Sequence, residues 1–189
     1  MSSAAIKPNT NFKIDPTQFT VWIFLVSVVM LFAGFTSAYI VRKAQGDWVN
    51  FELPSVFVTS CMVVIASSLT MAGAQYAFKT GKIALMRLAL MASLILGSIF
   101  IVNQFAGWDA LTANGHYLVG NASGSFLFII SGAHAVHVGA GLVALLVCLL
   151  RSFILGAKDI KSLKVNSVAI YWHFVGVLWL YIYIFLTNA

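Results

Sequence analysis

Charge is what this chain most lacks. Only 8% of its 189 residues are Asp, Glu, Lys or Arg, against about a quarter in soluble domains. None of them falls within five long apolar blocks, Phe19 to Val41, Ser55 to Phe78, Leu88 to Trp108, Phe126 to Leu150 and Val168 to Leu186. That absence argues against a soluble fold and for membrane-spanning helices, since a bilayer core of about 30 Å asks for about 20 apolar residues per helix. The strands of a membrane barrel would be about ten residues long with a polar residue at every second position, a pattern the sequence does not contain. Helices meet the demand that lipid imposes, because each satisfies its own backbone hydrogen bonds.

The other scarcities exclude chemistry. Two cysteines, Cys61 and Cys148, lie inside apolar blocks, where they act as small apolar residues, and no Cys-x-x-Cys-His haem attachment or closely spaced cysteine pair for a two-copper centre is present. No glycine loop for phosphate and no aromatic-basic surface for nucleic acid can be found. With no carboxylate or lysine in any span, an ion or proton carrier is disfavoured. The first block follows a polar stretch from Met1 to Gln18 and lacks a small-residue cleavage site, so it is expected to remain as a helix rather than be removed as a signal. The expected organisation is a polar cytoplasmic tail over residues 1–18 and a membrane domain over 19–189, an all-α bundle with spans at about 19–41, 55–78, 88–108, 126–150 and 168–186.

Of the 11 basic residues, only Arg42 and Lys43 sit in the first and third loops. Lys7, Lys13, Lys79, Lys82, Arg87, Arg151, Lys158, Lys161 and Lys164 fall in the tail, the second loop with the following helix start, and the fourth loop. By the positive-inside rule the N-terminus is expected inside and the C-terminus outside. Trp22, Tyr39, Trp48, Tyr76 and Trp108 near block ends fit the aromatic belt.

What the spans do hold is three histidines. His134 and His137 lie on neighbouring faces of the fourth block, among small residues (Ala133, Gly141, Ala144) that let helices approach. His173 lies on the fifth. Buried imidazoles in such a seam are expected to hydrogen-bond across helices. The alternative is ligation of a b-type haem by His173 with His134 or His137, making the chain a cytochrome anchor; a small transporter is the third possibility. A metal site would want a further ligand that no span supplies. Thr59, Ser60, Ser67, Ser68 and Thr70 in the second block are expected to bond back to their own helix, Asn103 and Gln104 near the end of the third to bond a neighbouring helix, and Asn121-Ala122-Ser123 is read as a loop accident rather than a glycosylation site.

Tyr171-Trp172-His173-Phe174-Val175-Gly176-Val177-Leu178-Trp179-Leu180 resembles the Trp-His-Phe-Val-Asp-x-x-Trp-Leu helix that ends subunit III of haem-copper respiratory oxidases, of cytochrome c or quinol type. Gly132-Ala133-His134-Ala135-Val136-His137-Val138 is similar to that family's Gly-x-His-x-x-His-Val segment one helix earlier. Ser27 to Phe35 and Gly120 to Phe126 resemble its Ser-Glu-x-Met-x-Phe-x-x-Phe helix and the loop before the two-histidine helix. The chain then resembles the short five-helix form. Two family carboxylates are missing: Val28 stands for the glutamate and Gly176 for the aspartate. The resemblance implies a non-catalytic subunit that supports the stability and proton uptake of the catalytic subunit and binds phospholipid between helices. It implies oxidase subunits I and II as partners, haem and copper in those partners and none here, and a bacterial inner membrane. His134, His137, Trp172, His173 and Trp179 are then the motif residues that hold the helices together.

Overall fold

The structure of the chain, a computed structural model, describes residues 16–46, 48–49, 52–155 and 163–188. It contains five helices, α1 (Pro16–Lys43), α2 (Val56–Lys79), α3 (Ile83–Ala113), α4 (Ala122–Ile154) and α5 (Val165–Asn188), and no strand among the described residues. All five are long and apolar enough to cross a membrane, and α4, at 33 residues, runs about 50 Å at a rise of about 1.5 Å per residue. Most of the tail (Lys7, Lys13) and the part of the fourth loop with Lys158 and Lys161 lie outside the described residues.

Local chemistry sets the helix ends. Pro16 opens α1, where its fixed φ suits the first turn and its missing N–H costs nothing. After α2, Gly81 takes a positive φ of 72° and the Lys82 N–H reaches back to the Ala77 carbonyl at 2.9 Å. Gly115 (φ 82°) and the His116 N–H on Leu111 do the same after α3. Both are left-handed caps that close a helix end on its own last carbonyls. Asn121 has a structural task at the helix start: its side chain accepts the Ser123 N–H at 2.8 Å and caps α4.

α3 departs from expectation at both ends, starting at Ile83 rather than near 88 and continuing past Asp109 to Ala113. Arg87 therefore lies inside the helix. Its guanidinium donates to the Ser152 carbonyl in the last turn of α4 and lies over the Phe153 ring, 4.4 Å from its centroid. The charge is met by the carbonyl end of a second helix, so the helix need not wait for an uncharged residue to begin. This contact also puts the α2–α3 turn and the end of α4 at the same end of the bundle.

α2 packs on α3, α3 on α4, and α5 on both α2 and α4, while α1 lies against α4 and α5. The inward stripe of α3 is Gly97, Phe100, Gln104, Gly107 and Leu111, the alternating three-and-four spacing of a buried helix face. α1 buries Leu25, Val28, Phe32, Thr36 and Tyr39 at the same spacing, so Val28 sits in the seam of the bundle. At the end opposite Arg87, Tyr39 meets Trp48 and Phe185 edge-on at 4.5 and 5.1 Å between centroids.

Candidate functional site

The motif residues of α4 and α5 converge at the middle of the bundle. Trp172 is wedged between two glycines: a Cβ on Gly97 of α3 would stand 2.6 Å from its Cη2, and one on Gly141 of α4 3.0 Å from its Cε3. Glycine is needed at Gly97 because the indole occupies the space a methyl group would take. The Trp172 Nε1–H donates to Ser67 Oγ on α2 at 2.9 Å. The Ser67 hydroxyl donates to the Ser93 carbonyl of α3 at 3.3 Å, and Thr70 and Ser93 share a hydroxyl bond of 2.8 Å. One side chain of α5 thus touches three other helices.

The serines of α2 divide accordingly. Thr59 and Ser60 bond back to the Val56 carbonyl as expected, but Ser67, Ser68 and Thr70 make bonds to other helices. In lipid, where apolar surface gives helices little reason to associate, such bonds and close backbone approach hold a bundle together.

Each histidine has a different environment. His173 Nδ1 shares a bond of 2.5 Å with Ser68 Oγ of α2. His137 Nδ1 donates instead to the Ala133 carbonyl of its own helix at 2.7 Å, and the tie to α5 runs through its backbone, whose carbonyl accepts from Tyr171 OH at 2.7 Å. The imidazole of His137 therefore makes no hydrogen bond to another helix among the described residues, because its own turn offers the nearer acceptor. His134 is wholly buried and neither ring nitrogen has a hydrogen-bond partner among the described residues. It is stacked on Trp179 at 5.2 Å between centroids and met edge-on by Phe100 at 5.7 Å and Phe32 at 6.3 Å. Trp179 also packs on Phe57 of α2.

Gln104 corrects an expectation. With α3 continuing to Ala113, it lies well inside the helix, fully buried, with no partner for either amide atom among the described residues, and Asn103 is only half-buried. Trp108, placed by sequence in the aromatic belt, donates its Nε1–H to Ser131 Oγ of α4 at 3.0 Å. Sequence missed this bond, as it missed the Tyr171 bond, since a backbone or hydroxyl acceptor leaves no motif.

The geometry does not fit a haem between histidines. His173 is engaged by α2 and His137 by its own helix. The cavity beside His134 measures about 20 Å³, whereas sites for molecules of such size run to about 300 Å³ or more. No group of three or more His, Cys, Asp or Glu side chains able to hold a metal occurs among the described residues. The arrangement ties helices together.

The family model for cytochrome c oxidase subunit III matches residues 3–188. The chain belongs to this family. Among its relatives it is 31% identical to a probable cytochrome c oxidase subunit 3 of Nocardia farcinica, over 84% of this chain and 80% of that one. It is 31% identical to cytochrome c oxidase subunit 3 of Corynebacterium diphtheriae, over 86% and 82%, and 27% identical to a probable quinol oxidase subunit 3 of Staphylococcus saprophyticus, over 86% and 83%. As a subunit III, the chain works in a membrane-bound respiratory oxidase complex alongside other subunits. Relatives of both the cytochrome c and the quinol type match over similar lengths.

Proposed function

We propose that the chain is a non-catalytic support subunit. It packs against the catalytic subunit I and against subunit II, sustains the stability and proton uptake of subunit I, and carries phospholipid between its helices in a bacterial inner membrane, with its N-terminus inside. The observation that carries this reading is the way the motif residues are spent: Trp172 on Ser67, His173 on Ser68, and Tyr171 on the His137 carbonyl. Each of these three joins one helix to another. Haem and copper belong to the partner subunits.

A cleft of about 240 Å³ between α1 and α5, lined by Val29, Phe32, Ala33, Phe174, Val177 and Leu178 among others, supports lipid carriage. Apart from Tyr181 its lining is apolar, which suits an acyl chain. Val28 and Gly176 stand where the resemblance places membrane carboxylates, so neither position supplies a carboxylate to relay protons, and support of proton uptake is structural. The test is purification of the tagged chain in mild detergent. A haem-bearing subunit and phospholipid should come with it; recovery of the chain free of any haem protein would refute the proposal.

A further inference from the structure

The side-chain amide of Asn103 on α3 makes no hydrogen bond with any described residue, and the residue is half-buried rather than enclosed. Asn114 and Asn188 meet the same need by donating to the carbonyl four residues back, at 2.9 and 2.8 Å. Asn103 lies six residues before Asp109, the first charged residue after Arg87, which places it about 9 Å further into the membrane along the helix axis. Hydrocarbon offers an amide no partner at that depth, and a polar side chain in a span ordinarily faces the bundle or a cavity.

The position belongs to the outer groove between α2 and α3. Gly107, one turn after Asn103, has Phe57 of α2 against it, a Cβ there standing 2.7 Å from the ring. Residues four apart are neighbours on a helix surface, so Asn103 lies on the α2 side of α3. On α2, Thr70 bonds Ser93 of α3, and its surface neighbours Ala66 and Gly73 share that edge, with Thr59 two turns before Ala66. Across the groove on α3 stand Ala106 and Ala110, three and seven residues after Asn103. α1 packs on α4 and α5 instead. Thr59, Gly73 and Ala106 are exposed, and a Cβ on Gly73 would meet nothing within 4 Å. A glycine there gives up helix propensity without letting any helix of this chain come closer.

We propose that this groove receives a transmembrane helix from another subunit of the oxidase, which presents a hydrogen-bonding side chain to Asn103. The small residues allow close backbone approach and the amide supplies a polar bond, the two features that join helices in lipid. An asparagine amide has two N–H donors and an acceptor oxygen, so a hydroxyl, amide or carboxyl group on the incoming helix serves. Acyl chains could cover Gly73 and Ala106 but would leave Asn103 unpaired, which is why the occupant is protein. The proposal rests on the chain's place in an oxidase complex and adds the face by which it is held there.

Two variants of the intact oxidase test it. Met62, exposed on α2 between Thr59 and Ala66, is replaced by a photoreactive residue, Met62→benzoylphenylalanine, and irradiation should join this chain to one other oxidase subunit, identified by mass spectrometry of the adduct. An adduct with a second copy of this chain, an adduct with lipid alone, or no adduct overturns the proposal. Asn103→Leu breaks no bond within this chain, so the separated full chain should melt as wild type does. In the complex the substitution should weaken association about 3- to 20-fold, the range one membrane hydrogen bond supplies, read as loss of this chain from the haem-bearing subunit on dilution in mild detergent. Undiminished retention overturns the proposal, as does a lowered melt of the separated chain, which would assign Asn103 to the chain's own fold. Wild-type chain that brings down no haem-bearing subunit refutes the support role and the groove together, whereas failure of the groove alone leaves the wild-type association standing.

Discussion

Gly97→Ala tests the interhelical keystone. The new methyl would lie 2.6 Å from Trp172 Cη2, 2.8 Å from its Cζ2 and 2.8 Å from Leu142 Cδ2. The leucine can turn away, but the indole is a rigid plane held at its other edge by Ser67. Overpacking of this kind costs about 1–3 kcal/mol. Alanine returns about 1 kcal/mol of helix propensity relative to glycine, so the net loss should be up to about 2 kcal/mol. The control is Gly139→Ala on α4, where a Cβ meets nothing within 4 Å and only the propensity gain applies. A thermal scan of the detergent-solubilised complex, following retention of this chain, should show Gly97→Ala up to about 8 °C below wild type, at about 2–4 °C per kcal/mol, and Gly139→Ala at or above it. Equal midpoints for the two variants would refute the claim that Trp172 is locked by close packing.

Further outcomes follow from the same contacts. Tyr171→Phe removes the bond to the His137 carbonyl and should cost about 0.6–1.7 kcal/mol, the span of membrane hydrogen bonds, while His137→Leu leaves that bond in place and should cost less; the same thermal scan ranks them, and the reverse order would be wrong for this geometry. Ser68→Ala should loosen α2 from α5, seen as faster amide exchange around His173, with the haem content of the complex unchanged. For the proposed orientation, a cysteine placed at Thr80 in the α2–α3 turn should react with a membrane-impermeant thiol reagent only from the cytoplasmic side of inside-out vesicles; labelling in right-side-out vesicles would invert the topology.

The membrane spans were legible because their signal is an absence of charge, which is summed over many residues and survives local exceptions. Their ends were less so. Arg87 looks like a stop in a hydropathy reading, yet the Ser152 carbonyl in the last turn of α4 accepts from its guanidinium, a partner 65 residues away in sequence. The motif residues could be picked out by resemblance, but not their partners: Ser67 and Ser68 look like any helical serines until α5 is placed against them, and Asn121-Ala122-Ser123 shows its purpose only as the cap of α4. Gln104 was misplaced because its position relative to the helix end depended on where α3 stopped. His137 shows a further limit, since the residue type was noticed while the bond that joins the helices uses its backbone.

The central claim is that this chain supports an oxidase without performing its chemistry, and the most direct measurement compares the complex purified with and without it. Identical haem spectra per catalytic subunit and the same initial rate of oxygen reduction are expected, followed by faster loss of activity during turnover and on warming in the complex that lacks the chain. Loss of a haem band, or an initial rate already abolished, would contradict it.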